Sequence, residues 1–219
     1  MSAPDLRLYV LVDPALTRGR SVDEIAAAAI QGGATILQVR AKGATTRALV
    51  NLVDAVQAVA NPHGVPVIVN DRADVAFACG AAGVHVGPDD LTVGAARRLL
   101  GAGALIGRSA GTPDEALAAA RDGADYAGTG DTFGTVSKPD ADAPIGLAGL
   151  AAVEAVAAAA GLPVVAIGGV TAANAADAIR AGAAGVAVLG AIGLADDPAA
   201  AARALRRAVD DAIQRRRGG

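Results

Sequence analysis

The sequence contains no tryptophan, and aromatic residues make up only 2% of its 219 residues. A buried core must therefore be built from Ala, Val, Leu and Ile, and at 53% the hydrophobic residues are abundant enough for that. The single cysteine, Cys79, excludes an intrachain disulfide framework and a multi-cysteine zinc site. With a net charge of −3, the chain lacks the basic excess of a dedicated nucleic-acid-binding protein.

Long apolar segments are also missing. No run approaches the roughly twenty residues that a membrane helix needs, and the start of the chain lacks the charged-then-apolar order of a signal peptide. Charged residues at 19% are too few, and aliphatic residues too many, for a disordered chain. We therefore expect a folded cytoplasmic protein with neither a nucleic-acid partner nor a membrane partner.

What the chain does contain is a repeated order of short apolar runs and longer alanine-rich stretches. The runs are continuously apolar rather than alternating, which is typical of parallel strands that are covered on both faces. They cover residues 6–12, 35–40, 65–70, 83–87, 104–109, 125–130, 162–169 and 185–190. The stretches between and after them predict helices at 22–31, 45–60, 74–79, 92–100, 113–122, 147–160, 174–181 and 197–216.

Capping residues precede several of these predicted helices. Ser21, Thr112 and Asp197 each stand immediately before a helical stretch, and the latter two are followed by proline. Strict alternation of strand and helix, repeated eight times, is the pattern of a (β/α)8 barrel. We predict an α/β fold, namely a single (β/α)8 TIM barrel, in which residues 1–219 form one catalytic domain.

Polar residues follow the second predicted strand. Gln38, Arg40 and Lys42 alternate along the chain, so they share one face, and we expect that face to point into the mouth of the barrel. Two cations and an amide that converge there would bind a polyanion such as diphosphate. The alternative interpretation is a surface edge that carries two solvated cations.

Carboxylates follow the next two predicted strands. Asp71 ends the third strand and Asp90 follows the fourth, so their side chains are expected to meet over the barrel mouth. Hard oxygen ligands beside a diphosphate site suggest Mg2+. In the alternative interpretation, one carboxylate of Asp89 and Asp90 caps the following helix. His63 and His85 lie outside any cluster with metal-ligand spacing, which argues against zinc, and His85 is interpreted as a core histidine.

A polar, proline-rich insert, residues 131–146, follows the sixth predicted strand. Within it, Thr135, Ser137 and Lys138 suit a phosphate or a leaving group. Long loops on the catalytic face of a barrel usually serve function. We therefore predict that this loop closes over bound substrates, with Lys138 reaching the departing diphosphate.

Glycines follow the last two predicted strands. Gly168 and Gly169 end the seventh strand, and Gly190 follows the eighth. Glycines at these places allow backbone N–H groups to surround a monophosphate beside the start of a short helix. The alternative interpretation is a pair of simple tight turns.

In this order, the motifs resemble those of the thiamine phosphate synthase family. The resemblance spans positions 38 to 190 and rests on Gln38-Val39-Arg40-Ala41-Lys42, Val69-Asn70-Asp71-Arg72, Val84-His85-Val86-Gly87 with Asp89-Asp90, Gly107-Arg108-Ser109, Ser137-Lys138 and Ala166-Ile167-Gly168-Gly169-Val170. It implies a barrel transferase of thiamine biosynthesis that uses Mg2+. Such an enzyme joins 4-amino-2-methyl-5-hydroxymethylpyrimidine diphosphate to hydroxyethylthiazole phosphate and releases diphosphate.

The resemblance also implies roles for individual residues. Arg40, Ser109 and Lys138 would be catalytic, and Asp71 and Asp90 would ligate Mg2+. The implied substrate-binding residues are Gln38, Val39, Arg40, Ala41, Lys42, Asn70, Ser109, Thr135, Val136, Ser137, Lys138, Gly169, Leu189 and Gly190. The sequence departs from the residues usual in the family at Pro88, Gly111, Asp131, Gly134 and Gly190.

Three other functions fit a barrel of this kind. A thiazole tautomerase typically lacks the full metal pair and relies on a histidine in the stretch that here contains Ser109 and Gly111. An aldolase would need a buried Schiff-base lysine, whereas Lys42 and Lys138 both have anion-binding neighbours. A phosphate-binding barrel without catalysis is the third alternative, and the acids and cations that the chain retains argue against it.

Overall fold

The computed structural model describes residues 4–135 and 143–218 of the protein. Its strands are β1 (Leu8–Val12), β2 (Ile36–Val39), β3 (Val67–Asn70), β4 (Gly83–Val86), β5 (Leu105–Ser109), β6 (Tyr126–Thr129), β7 (Val164–Ile167) and β8 (Gly185–Val188). They pair in parallel and in chain order, and β1 also pairs with β8, which closes the barrel. The predicted (β/α)8 fold is confirmed.

Helices surround the barrel on its outer side. They are α1 (Val22–Gln31), α2 (Thr46–Ala60), α3 (Ala73–Ala78), α4 (Val93–Leu100), α5 (Pro113–Arg121), α6 (Gly146–Ala159), α7 (Ala175–Arg180), α8 (Gly190–Gly193) and α9 (Pro198–Gly218). Within the described part of the chain, no helix is both long enough and apolar enough to span a membrane.

Local sequence signals account for where several helices begin. Ser21 accepts a hydrogen bond from the backbone N–H of Glu24, and the Glu24 side chain bonds back to Ser21, so α1 starts with a capping box. Thr112 and Glu115 form the same arrangement at α5. Asp197 accepts from the backbone N–H of Ala200 at the start of α9. The caps predicted from the sequence are therefore confirmed.

The strands bury side chains on both faces, which explains their continuously apolar sequences. One layer of aliphatic side chains lies between the sheet and the helices. A second, smaller cluster fills the interior of the barrel and includes Tyr9, Ile36, Ile68, Tyr126 and Val165. These side chains fill the barrel interior, and Tyr9, Tyr126 and Val165 among them also line a cavity at the carboxyl ends of the strands.

All eight strands are shorter than the apolar runs that predict them. In the third, the run begins at residue 65, whereas β3 begins two residues later, at Val67. Pro66 precedes Val67 and has no N–H to donate to the ladder of hydrogen bonds.

Candidate active site

A cavity of about 790 Å³ opens at the carboxyl ends of the strands. Its walls include most of the residues that the sequence predicts for the site: Gln38, Arg40, Lys42, Asn70, Ser109, Thr135, Gly169, Leu189 and Gly190. Val39 instead lies in the outer aliphatic layer, and Ala41 packs against that layer. Neither of these two residues lines the cavity, and the predicted metal ligands Asp71 and Asp90 do not line it either. Val136, Ser137 and Lys138 lie outside the described residues.

The cationic side of the cavity is built on β2 and the residues that follow it. Arg40 is buried, and its guanidinium Nη1 lies 2.5 Å from Oδ2 of Asp13, which follows β1. The parallel register pairs Val12 with Val39, which places Asp13 beside Arg40. Because a buried guanidinium needs a partner, Asp13 holds Arg40 in place at the wall of the cavity.

A pair of carboxyl groups lies near these cations. Asp71, after β3, is hydrogen-bonded to Asp90, after β4. Burial, followed by the charge of Asp90, raises the pKa of Asp71 to about 6, although Lys42 and Arg40 act in the opposite direction. Asp90 also accepts a hydrogen bond of 2.7 Å from the backbone N–H of Gly87. The two acids meet as the sequence predicts.

The chemistry of this acid pair fits a divalent cation. Two facing carboxylates repel each other when both are ionised, and a hard cation with oxygen ligands removes that repulsion. No cluster of three or more His, Cys, Asp or Glu side chains suited to a metal occurs within residues 4–135 and 143–218. A cation at the pair would therefore take its other ligands from water and from phosphate oxygens, as Mg2+ commonly does.

A row of polar side chains crosses the floor of the cavity. The amide Nε2 of Gln38 donates to the hydroxyl of Tyr9 at 2.8 Å, and this hydroxyl lies 2.8 Å from that of Tyr126. His85 lies between Tyr126 and Ser109, with Nδ1 at 3.3 Å from the Tyr126 hydroxyl and Nε2 at 3.1 Å from Oγ of Ser109. The interpretation of His85 as a core histidine is wrong: its ring is half-buried and lines the cavity.

The far side of the cavity is made of backbone. Gly168 and Gly169 follow β7 with positive φ angles, and Gly190 opens the short helix α8. Asp131, after β6, is buried, and its carboxylate accepts from the backbone N–H groups of Gly134 at 3.1 Å and Thr135 at 2.6 Å. Asp131 therefore fixes the first turn of the loop that follows β6.

Gly169 provides a direct test of this backbone wall. A Cβ at Gly169 would overlap the carbonyl of Gly134, and the φ of +64° disfavours any side chain by about 1–2 kcal/mol. We expect Gly169→Ala to raise the KM for the thiazole phosphate at least tenfold, with little change for the pyrimidine diphosphate. Gly161→Ala is the matched control, because Gly161 has a φ of +73° and no atom within 4 Å of a Cβ. Equal changes for both substrates would contradict the assignment.

Comparison with known proteins agrees with this geometry. The sequence matches the family model described as thiamine monophosphate synthase over residues 8–192. The chain belongs to the thiamine monophosphate synthase family. The predicted family and the predicted class, a transferase that forms a C–N bond with release of diphosphate, are confirmed. The relatives described below favour the synthase over the thiazole tautomerase and over a barrel without catalysis.

Two kinds of relative support the family. The thiamine-phosphate synthase of Chloroflexus aurantiacus is 54% identical over 143 residues, which is 65% of this chain and 66% of the relative. That of Clostridium novyi is 46% identical over 65% of this chain and 70% of the relative. Among solved structures, a thiamine phosphate pyrophosphorylase from Pyrococcus furiosus superposes with a TM-score of 0.84 at 34% identity, over 96% of this chain and 98% of that one.

Sequence patterns alone missed several residues of this synthase-family site. Tyr9 and Tyr126 lie within apolar runs, and nothing local distinguishes them from core residues. Asp13 directly follows the first run, so the rule that polar residues after barrel strands line the mouth could have found it. Alternation along β6 places Tyr126 on the same face of the sheet as Gly128, so the face to which the Tyr126 side chain belongs could have been predicted. The sequence marks Asp131 as a departure from the residue usual in the family, but it gives no sign of the hydrogen bonds that Asp131 accepts from Gly134 and Thr135.

Proposed function

We propose that this protein joins 4-amino-2-methyl-5-hydroxymethylpyrimidine diphosphate to hydroxyethylthiazole phosphate. The C–O bond between the methylene carbon and the diphosphate breaks, and a C–N bond forms between that carbon and the thiazole ring nitrogen. Thiamine phosphate and diphosphate leave. The observation that carries this proposal is that Arg40 and Lys42 line a single cavity and that their charges act on Asp71, which is hydrogen-bonded to Asp90.

Arg40 and Lys42 suit the departing diphosphate. A leaving group that takes away both bonding electrons gains negative charge, and fixed cations stabilise that charge as it develops. Gln38 suits the pyrimidine better than the diphosphate, because one of its N–H groups is already bound to Tyr9 and its amide oxygen would repel an anion. Asn70, at the end of β3, lines the same part of the cavity.

Mg2+ belongs to the same proposal. Asp71 and Asp90 would hold it, and when bound it would neutralise part of the charge on the diphosphate oxygens. The protein's own contribution is to keep the two carboxyls in contact and to place Lys42 and Arg40 close enough for their charges to act on Asp71.

The remaining wall would position the second substrate. The backbone at Gly169, Leu189 and Gly190 would bind the phosphate of the thiazole, together with Thr135. By resemblance we assign Val136 and Ser137 to the same phosphate and Lys138 to the leaving group. Aliphatic side chains such as Val165 and Ile167 also line the cavity. They would keep water away from the methylene carbon, which gains positive charge as its bond to the diphosphate breaks. We further propose that the whole chain, residues 1–219, acts as one catalytic barrel domain in the cytoplasm.

The deciding experiment is an incubation with both substrates and Mg2+, analysed by mass spectrometry. We expect thiamine phosphate and diphosphate in equal amounts, and neither without the thiazole phosphate. A parallel incubation of the thiazole phosphate alone in deuterated water tests for tautomerase activity. Deuterium uptake without any joined product would contradict the proposal and favour the tautomerase.

The diphosphate site can be tested separately with Arg40→Ala. Loss of a charge-assisted contact removes roughly 1.5–3 kcal/mol of binding free energy, so the KM for the pyrimidine diphosphate should rise by about tenfold or more. The KM for the thiazole phosphate should change much less. Arg18→Ala, at an exposed ion pair, is the control, and an equal effect on both substrates would mean that Arg40 does not bind the diphosphate.

A further inference from the structure

The polar row on the cavity floor forms one continuous chain of hydrogen bonds. It begins at Gln38 on β2, passes through Tyr9 on β1 and Tyr126 on β6, and reaches Ser109 on β5 through the ring of His85 on β4. Five strands therefore contribute one side chain each. The catalytic proposal above uses Gln38, and the resemblance to the family gives Ser109 a role, so the three middle members are left without one.

The direction of the chain follows from counting hydrogens. Each phenol has one hydrogen to donate. Tyr9 accepts from Nε2 of Gln38, so its own hydrogen goes to Tyr126, its other partner in the barrel interior. Continuing in the same direction, the Tyr126 hydroxyl would donate to Nδ1 of His85, which lies 3.3 Å away. Burial holds the pKa of both tyrosines well above its ordinary value, so both remain protonated donors.

The same direction sets the two remaining groups. With Nδ1 of His85 as the acceptor, the neutral ring would carry its proton on Nε2 and donate it to Oγ of Ser109, 3.1 Å away. Ser109 then has its own hydroxyl hydrogen left for a ligand. At the Gln38 end, Nε2 is bound to Tyr9, so the amide oxygen on the other side of the same group is left to accept a hydrogen bond from a ligand.

Glycines on the neighbouring strands leave space for the rings of His85 and Tyr126. The ladder pairs His85 with Gly107 and Gly107 with Tyr126, so that the two rings meet across a glycine. Their ring centroids are 5.6 Å apart. A Cβ at Gly107 would overlap both the Tyr126 phenol and Nδ1 of His85, and one at Gly128 would press on the imidazole. Glycine in a strand interior weakens the strand, so its presence at two places around these rings has a spatial reason.

We propose that Tyr9, Tyr126 and His85 are positioning residues whose one-directional chain of hydrogen bonds makes Ser109 a donor and Gln38 an acceptor toward the pyrimidine. An aminopyrimidine offers the complementary groups, namely ring nitrogens that accept and an exocyclic amine that donates. A 4-oxo pyrimidine has an oxygen where the amine stands, and this oxygen would face the amide oxygen of Gln38. The ligand assignment rests on the proposed function, whereas the direction of the chain does not.

The direction can be measured on the free protein. The sequence has two histidines, so His63→Gln on the surface leaves His85 as a single signal in 15N-labelled protein. At pH about 8.5, above the ordinary pKa of histidine, we expect the tautomer with the proton on Nε2. The opposite tautomer would overturn the proposal, and this result is independent of whether the protein makes thiamine phosphate.

The specificity can be measured by binding alone. In the absence of the thiazole phosphate, wild-type protein should bind the 4-amino pyrimidine diphosphate about 100-fold more tightly than the 4-oxo analogue, because a site built for hydrogen bonds rejects a mismatched partner strongly. In Tyr126→Phe, Tyr9 loses its acceptor. The Gln38 amide then turns its oxygen toward Tyr9 and its NH2 group toward the ligand.

We therefore expect Tyr126→Phe to reduce the preference to about tenfold or less, by weakening the amino ligand and strengthening the oxo ligand. The His85 signal in this variant should show both tautomers. A merely structural role for Tyr126 would weaken both ligands alike and leave their ratio unchanged, which would overturn the proposal. The tautomer of His85 is measured without any substitution among the five hydrogen-bonded residues. It therefore tests the proposal even if Tyr126→Phe fails to fold.

Discussion

We expect Asp71→Asn to lose activity by a factor on the order of 100 or more while the protein becomes more stable. The loss follows from removing one of the two carboxylates proposed to hold Mg2+, since weaker, outer-shell changes alone cost 10–100-fold at metal sites. Initial rates with both substrates at saturating Mg2+ measure the first effect. Thermal unfolding in EDTA measures the second.

The gain in stability follows from the raised pKa of Asp71. In the folded protein the pKa is about 6, whereas the ordinary value is 3.8. Between these two values the folded state holds a proton that the unfolded chain has released, so the stability falls as the pH rises through this window. The amide that replaces the carboxyl in the variant has no charge to gain or lose. Because Asp71 is partly exposed and screened, the gain above pH 6 is about 1 kcal/mol, which corresponds to about 2–4 °C in the melting temperature.

Asp74, three residues after Asp71 in the sequence, provides the control. Asp74 lies in the first turn of α3, and its hydrogen bond to Arg72 lowers its pKa. Asp74→Asn should therefore lower the melting temperature slightly and leave turnover unchanged. If Asp71→Asn also lowers the melting temperature in EDTA, or if wild-type activity persists in EDTA, the acid pair is not a cation site.

Much of the site could be predicted because it depends on local patterns. Alternation places Gln38 of β2 on the inner side and, carried on past the end of the strand, Arg40 and Lys42 on the same side. The chain order of the strands brings Asp71 next to Asp90. These inferences need only the period of a strand and the rule that consecutive parallel strands are neighbours. They do not require the register between strands.

The residues that were missed depend on register and on partners. Asp13 meets Arg40 because β1 and β2 pair Val12 with Val39, and no feature of either strand alone sets that offset. His85 reaches Tyr126 across Gly107, which involves three strands. An apolar run that contains one polar residue has the same sequence pattern whether that residue faces the core or a cavity, so the long-range pairing decides.

We expect Asp13→Asn to destabilise the free protein strongly, because it leaves the buried guanidinium of Arg40 without a counter-charge. Breaking a buried ion pair by removing one partner costs about 3 kcal/mol or more, which corresponds to about 6–12 °C in the melting temperature of a chain of this length. Asparagine can still accept the hydrogen bond from the backbone N–H of Ala15, so the turn after β1 is retained. Thermal unfolding without ligands measures this loss.

Diphosphate should then restore part of the lost stability. A bound anion supplies the counter-charge that the neutral amide of the variant lacks, so the rise in melting temperature on adding diphosphate and Mg2+ should be larger in Asp13→Asn than in the wild type. Asp196→Asn is the matched control: the Arg18–Asp196 pair has the same 2.5 Å separation as Arg40–Asp13, but the Asp196 side chain is 91% exposed. Exposed pairs contribute about 1 kcal/mol or less. Similar losses of stability in the two variants would contradict the stabilising role of the buried Arg40–Asp13 pair. A smaller rise with diphosphate in Asp13→Asn than in the wild type would mean that Arg40 does not bind the anion.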